Sequence, residues 1–502
     1  MRLLLLPLLC GLATGMRGVH KKLFKEPISL AEEPDFEEQW YNQSLDHFNM
    51  FDDALWQQRY WSNMEYHEAG GPSLIMIGGE AAANPKWMNS GVWYSIAKET
   101  KAAMFLLEHR FYGKSMPTDD MKASNMRYLS SRQGLEDLAT FITAMNSKHN
   151  LTGPWVSFGG SYPGSLSAWL RLKYPHLISG AVSSSGPLFA KLDYFEYLGI
   201  VQDSLATTGP GCIEPIKEAI EDLEAKLNES MQWPQLSTNF KTCKGINGNN
   251  LDDVKSFIEL LVDNLAGIVQ YNGRTPFDIN SVCDIMRNES LGTPLDRFAA
   301  VNSVSLANDG EECLDHEFSS FLSQLTNTTF NSNGVGWRQW TWQTCTEFGW
   351  YQTSNQKSMV FGRMLDLDFF KSWCRKAFSE VEWSDADFDE FMMNSNTEYG
   401  GFTPNVKNVV FVHGSVDPWH PMGVLEDLND NAPALFINGT SHCADMYDDK
   451  PGDSQDLLDA KDRVRDLVKT WLNGKEDNGN GSSIFEAQGS LILLVLASLM
   501  LM

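Results

Sequence analysis

The sequence predicts an α/β fold: a parallel sheet covered by helices, interrupted by a largely helical insertion that contains cysteines. Three observations predict it. Short apolar runs that read as buried strands alternate with helix-like stretches before residue 190. The same alternation returns after residue 400. The region between them is helix-like and Trp-rich, and it holds Cys212, Cys243, Cys283, Cys313, Cys345 and Cys374.

Taken in order, residues 73–77 form an apolar strand that ends at Gly78-Gly79, and residues 102–107 form another that ends at Glu108-His109. Residues 135–145 read as a helix because their apolar positions recur every three to four residues. A strand over 155–158 leads into Gly159-Gly160-Ser161-Tyr162-Pro163-Gly164, followed by a helix over 166–173 and a strand beginning at Gly180. Strands over 408–412 and 434–437 end at His413-Gly414 and Asn438-Gly439, and an amphipathic helix closes the pattern over 456–472. The expected boundaries are 1–18 for a signal peptide, 45–189 for the first part of the core and 190–400 for the cap insertion. They continue with 401–475 for the second part of the core and 476–502 for a polar spacer and apolar tail.

Strand, glycine-flanked serine, helix is the arrangement of a nucleophile elbow, in which a tight turn lifts the hydroxyl above the sheet. Ser161 is the candidate nucleophile, and the backbone N–H of Tyr162 is the candidate first oxyanion donor. Pro163 stands where the common pattern has glycine; it falls in the first helical turn, where its missing N–H has no helical partner to lose. A serine hydroxyl needs a base, and the base needs an orienting acid. In α/β-hydrolases these follow in the order Ser, Asp or Glu, His, on loops after strands. Asp417 follows the strand over 408–412, and His442 follows the strand over 434–437. His413 and His420 are rival histidines, but His442 follows a separate, later strand; Asp445 is a rival acid, but it comes after the histidine. Gly79, after an early core strand, is the candidate second oxyanion donor.

The net charge of −26 and a pI near 4.7 exclude nucleic acid as a partner, since phosphate binding needs a basic face. No CxxC or HExxH motif suggests a zinc site, and the triad chemistry calls for no cofactor. The N-terminus has the pattern of a secretory signal: Arg2, an apolar run over 3–12, then Ala13-Thr14-Gly15. Candidate glycosylation sequons at Asn42, Asn150, Asn228, Asn288, Asn327, Asn438 and Asn480 fit that route. Pairing of sequence neighbours (212–243, 283–313, 345–374) is the simplest expectation among fifteen connectivities, with Cys443 left over. The apolar tail over 491–502, behind a Gly/Asn/Ser spacer, resembles a GPI-attachment signal, with Asn480, Gly481 or Ser482 as attachment points.

Several motifs together resemble the serine carboxypeptidase S28 family. They are Leu45-Asp46-His47-Phe48, Gln58-Arg59-Tyr60, Gly78-Gly79-Glu80, Glu108-His109-Arg110-Phe111-Tyr112-Gly113, Tyr128-Leu129-Ser130, Gly159-Gly160-Ser161-Tyr162, Asp417-Pro418-Trp419 and Ser441-His442-Cys443. The resemblance spans residues 45–472, and two motifs lean toward its thymus-specific serine protease branch. It implies an α/β-hydrolase core under a helical cap and a serine peptidase that cleaves beside proline near a peptide end. Ser161, Asp417 and His442 would form the triad. Pro163 and Ala81 depart from the residues usual in the family. A secreted or lysosomal/endosomal enzyme with a peptide substrate is the expectation. A non-peptidase hydrolase or an inactive binding protein on the same fold is the alternative. Membrane attachment through the tail, pairing into a homodimer and the choice between carboxypeptidase and aminopeptidase action are left open.

Overall fold

The computed structural model describes residues 36–330, 336–356 and 360–474. The expected signal peptide, the sequon at Asn480 and the apolar tail lie outside the described residues. An eight-stranded sheet forms the base. Its strands are β1 (Gln39–Ser44), β2 (Leu55–Asn63), β3 (Ser73–Ile77), β4 (Ala103–Leu107), β5 (Trp155–Gly160), β6 (Gly180–Ser184), β9 (Val409–Gly414) and β10 (Ala434–Ile437). A separate parallel pair is made by β7 (Lys191–Asp193) and β8 (Gly349–Tyr351). The order in the main sheet is β1-β2-β4-β3-β5-β6-β9-β10. The β1–β2 and β2–β4 pairs are antiparallel; every other pair is parallel.

The central strands are apolar at nearly every position because both faces are covered. Ile75, Ile77, Phe105 and Leu107 pack with Phe141, Leu138 and Leu166 on one face. Leu74, Met76, Met104 and Leu106 pack with Trp93, Ile96, Val464 and Val468 on the other. The helices responsible are Ser131–His149 and Tyr162–Lys173 on the first face, and Val92–Thr100 and Gln455–Leu472 on the second. From β3 the chain crosses to β4 on one side and then to β5 on the other, so the β3 and β5 loops open a crevice at a topological switch point.

Between β6 and β9 the chain is mainly helical, from Phe195–Ala206 to Asp385–Tyr399, and forms a cap over the carboxyl ends of the strands. Three disulfides staple it: Cys212–Cys283, Cys243–Cys313 and Cys345–Cys374. The third follows neighbour pairing; the expected 212–243 and 283–313 bridges are corrected. Helices Pro210–Leu227 and Ile279–Arg287 pack side by side, which brings Cys212 to Cys283. The chain around Thr242 meets Leu314 in a parallel bridge, and Cys243 N–H donates to Leu314 O at 3.0 Å. Sheet β1 begins at Gln39, ahead of the expected start of the core at 45.

The Glu108-to-Gly113 stretch is a brace beneath the elbow. Glu108 accepts from Arg59 Nε at 3.1 Å and from Ser115 Oγ at 2.7 Å. Arg110 grips the buried Asp137 with two bonds of 2.6 and 2.5 Å, and His47 adds a third at 2.8 Å. Burial holds the His109 pKa down at about 4. Its neutral ring gives Nδ1–H to Arg110 O at 2.8 Å and presents Nε2 to the Tyr162 hydroxyl at 3.1 Å. The brace therefore reaches the residue directly after Ser161.

Candidate active site

Ser161 sits at φ 66° and ψ −135°, a backbone region that side chains rarely occupy and that marks functional turns. Three backbone bonds hold it there. Ser161 N–H donates to Ser184 O at 2.9 Å, and its carbonyl accepts from Gly164 N–H at 2.8 Å and Ser165 N–H at 3.2 Å. Glycine is needed on the approach: a Cβ at Gly159 would lie 2.0 Å from Pro163 O, and one at Gly160 would lie 2.2 Å from Met446 Sδ. Tyr162 opens the helix Tyr162–Lys173, so its N–H has no intrahelical acceptor.

Pro163 has a specific neighbour. A Cβ at Gly79 would come within 2.4 Å of Pro163 Cγ and 2.7 Å of Cδ. The proline ring thus packs directly on the candidate oxyanion loop, and only a residue without a side chain fits opposite it. Gly78 N–H still bonds Leu107 O at 2.9 Å, so Gly79 is the first residue beyond the β3 ladder. It lines one cavity with Ser161.

Asp417 and His442 meet. His442 Nδ1 lies 2.8 Å from Asp417 Oδ1, with both side chains buried. That oxygen also accepts Trp419 N–H at 3.0 Å. Burial raises the Asp417 pKa, but the adjacent His442 and these hydrogen bonds more than reverse it and leave it below the ordinary aspartate value. Burial alone would lower the His442 pKa; the Asp417 carboxylate and the neighbouring Cys443 together outweigh it and hold the imidazole above its ordinary value. With Nδ1–H given to the carboxylate, Nε2 is left as the basic nitrogen. It has no hydrogen-bond partner among the described residues and no bond to Ser161, yet both residues line the same cavity.

The rivals do not line the cavity that Ser161 and His442 share. His413 packs against Gly423, His420 against Phe436 at 5.2 Å, and Asp445 accepts Ser184 Oγ at 2.5 Å. The sequence did not point to the residues that hold the histidine loop. His442 N–H donates to Gln270 O at 3.0 Å, at the end of the cap helix Leu251–Gln270. Gln270 Oε1 accepts from Trp419 Nε1 at 3.0 Å and from Tyr197 OH at 2.6 Å. Ser185 Oγ accepts Cys443 N–H at 2.8 Å, and Arg274 donates to the His442 carbonyl. Each comes from a segment remote from residue 442, with no local motif to mark it. Cys443 is a buried free thiol. The six candidate glycosylation sequons within the described residues are all exposed at their asparagines.

Comparison with known proteins gives one family. The model described as serine carboxypeptidase S28 matches residues 43–464. Thymus-specific serine protease of Homo sapiens is 34% identical over 449 residues, covering 86% of this chain and 86% of that protein. Lysosomal Pro-X carboxypeptidase of Mus musculus is 28% identical over 501 residues, covering 94% and 97%. Among solved structures, a proline iminopeptidase of Mycobacterium smegmatis aligns over 87% of this chain and 98% of its own, at 12% identity and a TM-score of 0.39.

Proposed function

This chain belongs to the serine carboxypeptidase S28 family, and from that premise we propose that it is an exopeptidase that cleaves near proline with Ser161, Asp417 and His442 as its triad. Ser161 Oγ attacks the peptide carbonyl while His442 Nε2 takes the hydroxyl proton. His442 then passes that proton to the leaving amine, and an acyl-enzyme remains on Ser161. Water repeats the sequence to release the acid. Asp417 fixes the imidazole tautomer and stabilises the imidazolium that forms. The N–H groups of Tyr162 and Gly79 receive the developing oxyanion.

The observation that carries this reading is the 2.8 Å Asp417–His442 contact beside a cavity shared with Ser161. Proline preference is supported by the name of the Pro-X carboxypeptidase relative and by Trp340, Trp350 and Trp419, flat apolar walls beside Ser161. The same reading assigns the chain to the secretory pathway or the lysosome, because disulfides persist in oxidising compartments. N-glycans at the exposed sequons accompany it. The test is hydrolysis of matched peptides with proline or alanine beside the scissile bond. The proline peptide is expected to be cleaved faster, and Ser161→Ala to lose on the order of 10⁶-fold in kcat. Equal cleavage of the two peptides overturns the proline preference; an active Ser161→Ala overturns the triad.

A further inference from the structure

Two cavities meet at Ser161 and Glu80, and they differ in chemistry. His442 lines only one of them, together with Gly79, Ala81, Tyr271 and Arg274. On the reading of His442 as the acid that protonates the leaving nitrogen, this is the leaving-group side. The other cavity, which lacks His442, takes the acyl part of the substrate. It lies beneath the cap, walled by aromatic residues that include Trp337, Trp350 and Trp373.

The acyl-side cavity is acidic. Glu80, Glu259 and Asp263 line it, and no Lys, Arg or His is among its described lining residues. Glu80 is only 5% exposed and borders both cavities. Among the described residues no other side chain bonds its carboxylate; its hydrogen bond comes from its own backbone. Burial of a carboxylate is unfavourable and pushes the Glu80 pKa up to about 7, against its own backbone hydrogen bond and the nearby His442, and no Lys or Arg pairs with it among the described residues. The leaving-group side has no Lys among its described lining residues, and its Arg274 is already engaged. Arg274 donates to the His442 carbonyl and, at 2.5 Å, to Tyr447 OH, and its guanidinium lies over the Tyr271 and Tyr447 rings.

We propose that the enzyme reads the amino end of its substrate: a free α-ammonium in the acyl-side cavity pairs with Glu80, and a short amino-terminal fragment is transferred to Ser161 and released. This rests on the Ser161 reading given above. The aromatic walls add cation–π attraction for the same group, and closure by the cap limits how much chain precedes the scissile bond. Glu80 acts as a specificity residue.

The experiment compares one proline-containing heptapeptide in free, N-acetylated, C-amidated and doubly blocked forms. Products are read by mass spectrometry, and rates are normalised to sites titrated with a fluorophosphonate. Acetylation is expected to lower kcat/KM at least about 30-fold, as for loss of one partner of a buried charge pair; amidation leaves it within a few-fold. Glu80→Gln is expected to erase most of the difference between free and acetylated peptides, while Glu80→Asp, which keeps the charge, retains it. Products from the carboxyl end, or sensitivity to amidation alone, overturn the proposal. A Glu80→Gln enzyme with undiminished preference for the free amine removes Glu80 from it. Should Glu80→Gln not fold, the wild-type comparison and Glu80→Asp still decide. A well-folded wild type that no fluorophosphonate titrates rejects the Ser161 reading instead, and this proposal falls with it.

Discussion

At the scale of single residues, Gly79 and Pro163 form a matched pair. The Cβ of alanine at 79 would lie 2.4 Å from the proline ring, so the loop that presents the Gly79 N–H must shift. Gly79→Ala is expected to lower kcat by about 10²–10³-fold, the effect of losing one oxyanion donor. Pro163→Ala removes the Cγ and Cδ atoms that clash, so the Gly79→Ala/Pro163→Ala double variant should recover much of that loss. Strictly additive effects in a kinetic double-mutant cycle would contradict the pairing. The departure at Pro163 is thus accommodated by its neighbour. The proposed triad of Ser161, Asp417 and His442 could be picked out in the sequence because its members lie in the loops after β5, β9 and β10, in the chain order of the proposed roles. Gln270, Arg274 and Ser185 could not, because they hold the backbone of His442 and Cys443 across folds of the chain that no spacing rule encodes.

At the scale of elements, legibility tracked short apolar runs. Strands β3, β4, β5 and β9 are mostly apolar and almost wholly buried, and they stand out in the sequence. Strands β1 and β2 went unread because their buried positions include polar residues that pair internally. Gln43 bonds Gln58 at 2.9 Å, Gln58 bonds Glu108 O at 2.8 Å, and Arg59 pairs with Glu108. Disulfide pairing was also beyond reach, since it depends on which cap helices lie side by side. The Cys212–Cys283 bridge closes a 71-residue separation. Replacing both cysteines by alanine is expected to reduce stability by about 2–4 kcal/mol in urea unfolding. An unchanged midpoint and slope would show that the bridge does not constrain the unfolded chain.

At the scale of the whole molecule, the cap and the sheet are joined through buried polar groups as well as apolar contact. Glu347, in the cap, accepts Ser131 N–H at 2.9 Å and Ser131 Oγ at 2.5 Å from the core. Burial pushes its pKa up to about 7, against the hydrogen bonds that favour its ionised form. A folded-state pKa above the unfolded value contributes stability that is full below about pH 4.5 and is lost as pH rises through about 7. Glu347→Gln removes that titration, so its stability relative to wild type should rise by up to about 3 kcal/mol between pH 4.5 and 7.5. Parallel pH profiles for the two proteins would contradict this. The α/β core and helical cap were readable from the alternation of strands and helices. The way the cap braces the histidine loop through Gln270 was not, because it is a tertiary contact between distant segments. The claim on which all three scales converge is that Ser161 is made nucleophilic by His442 and Asp417. Mapping a fluorophosphonate adduct by mass spectrometry of the digested protein tests it most directly. The adduct is expected on the peptide containing Ser161 and to vanish in His442→Ala; an adduct on another serine, or undiminished labelling without His442, would contradict it.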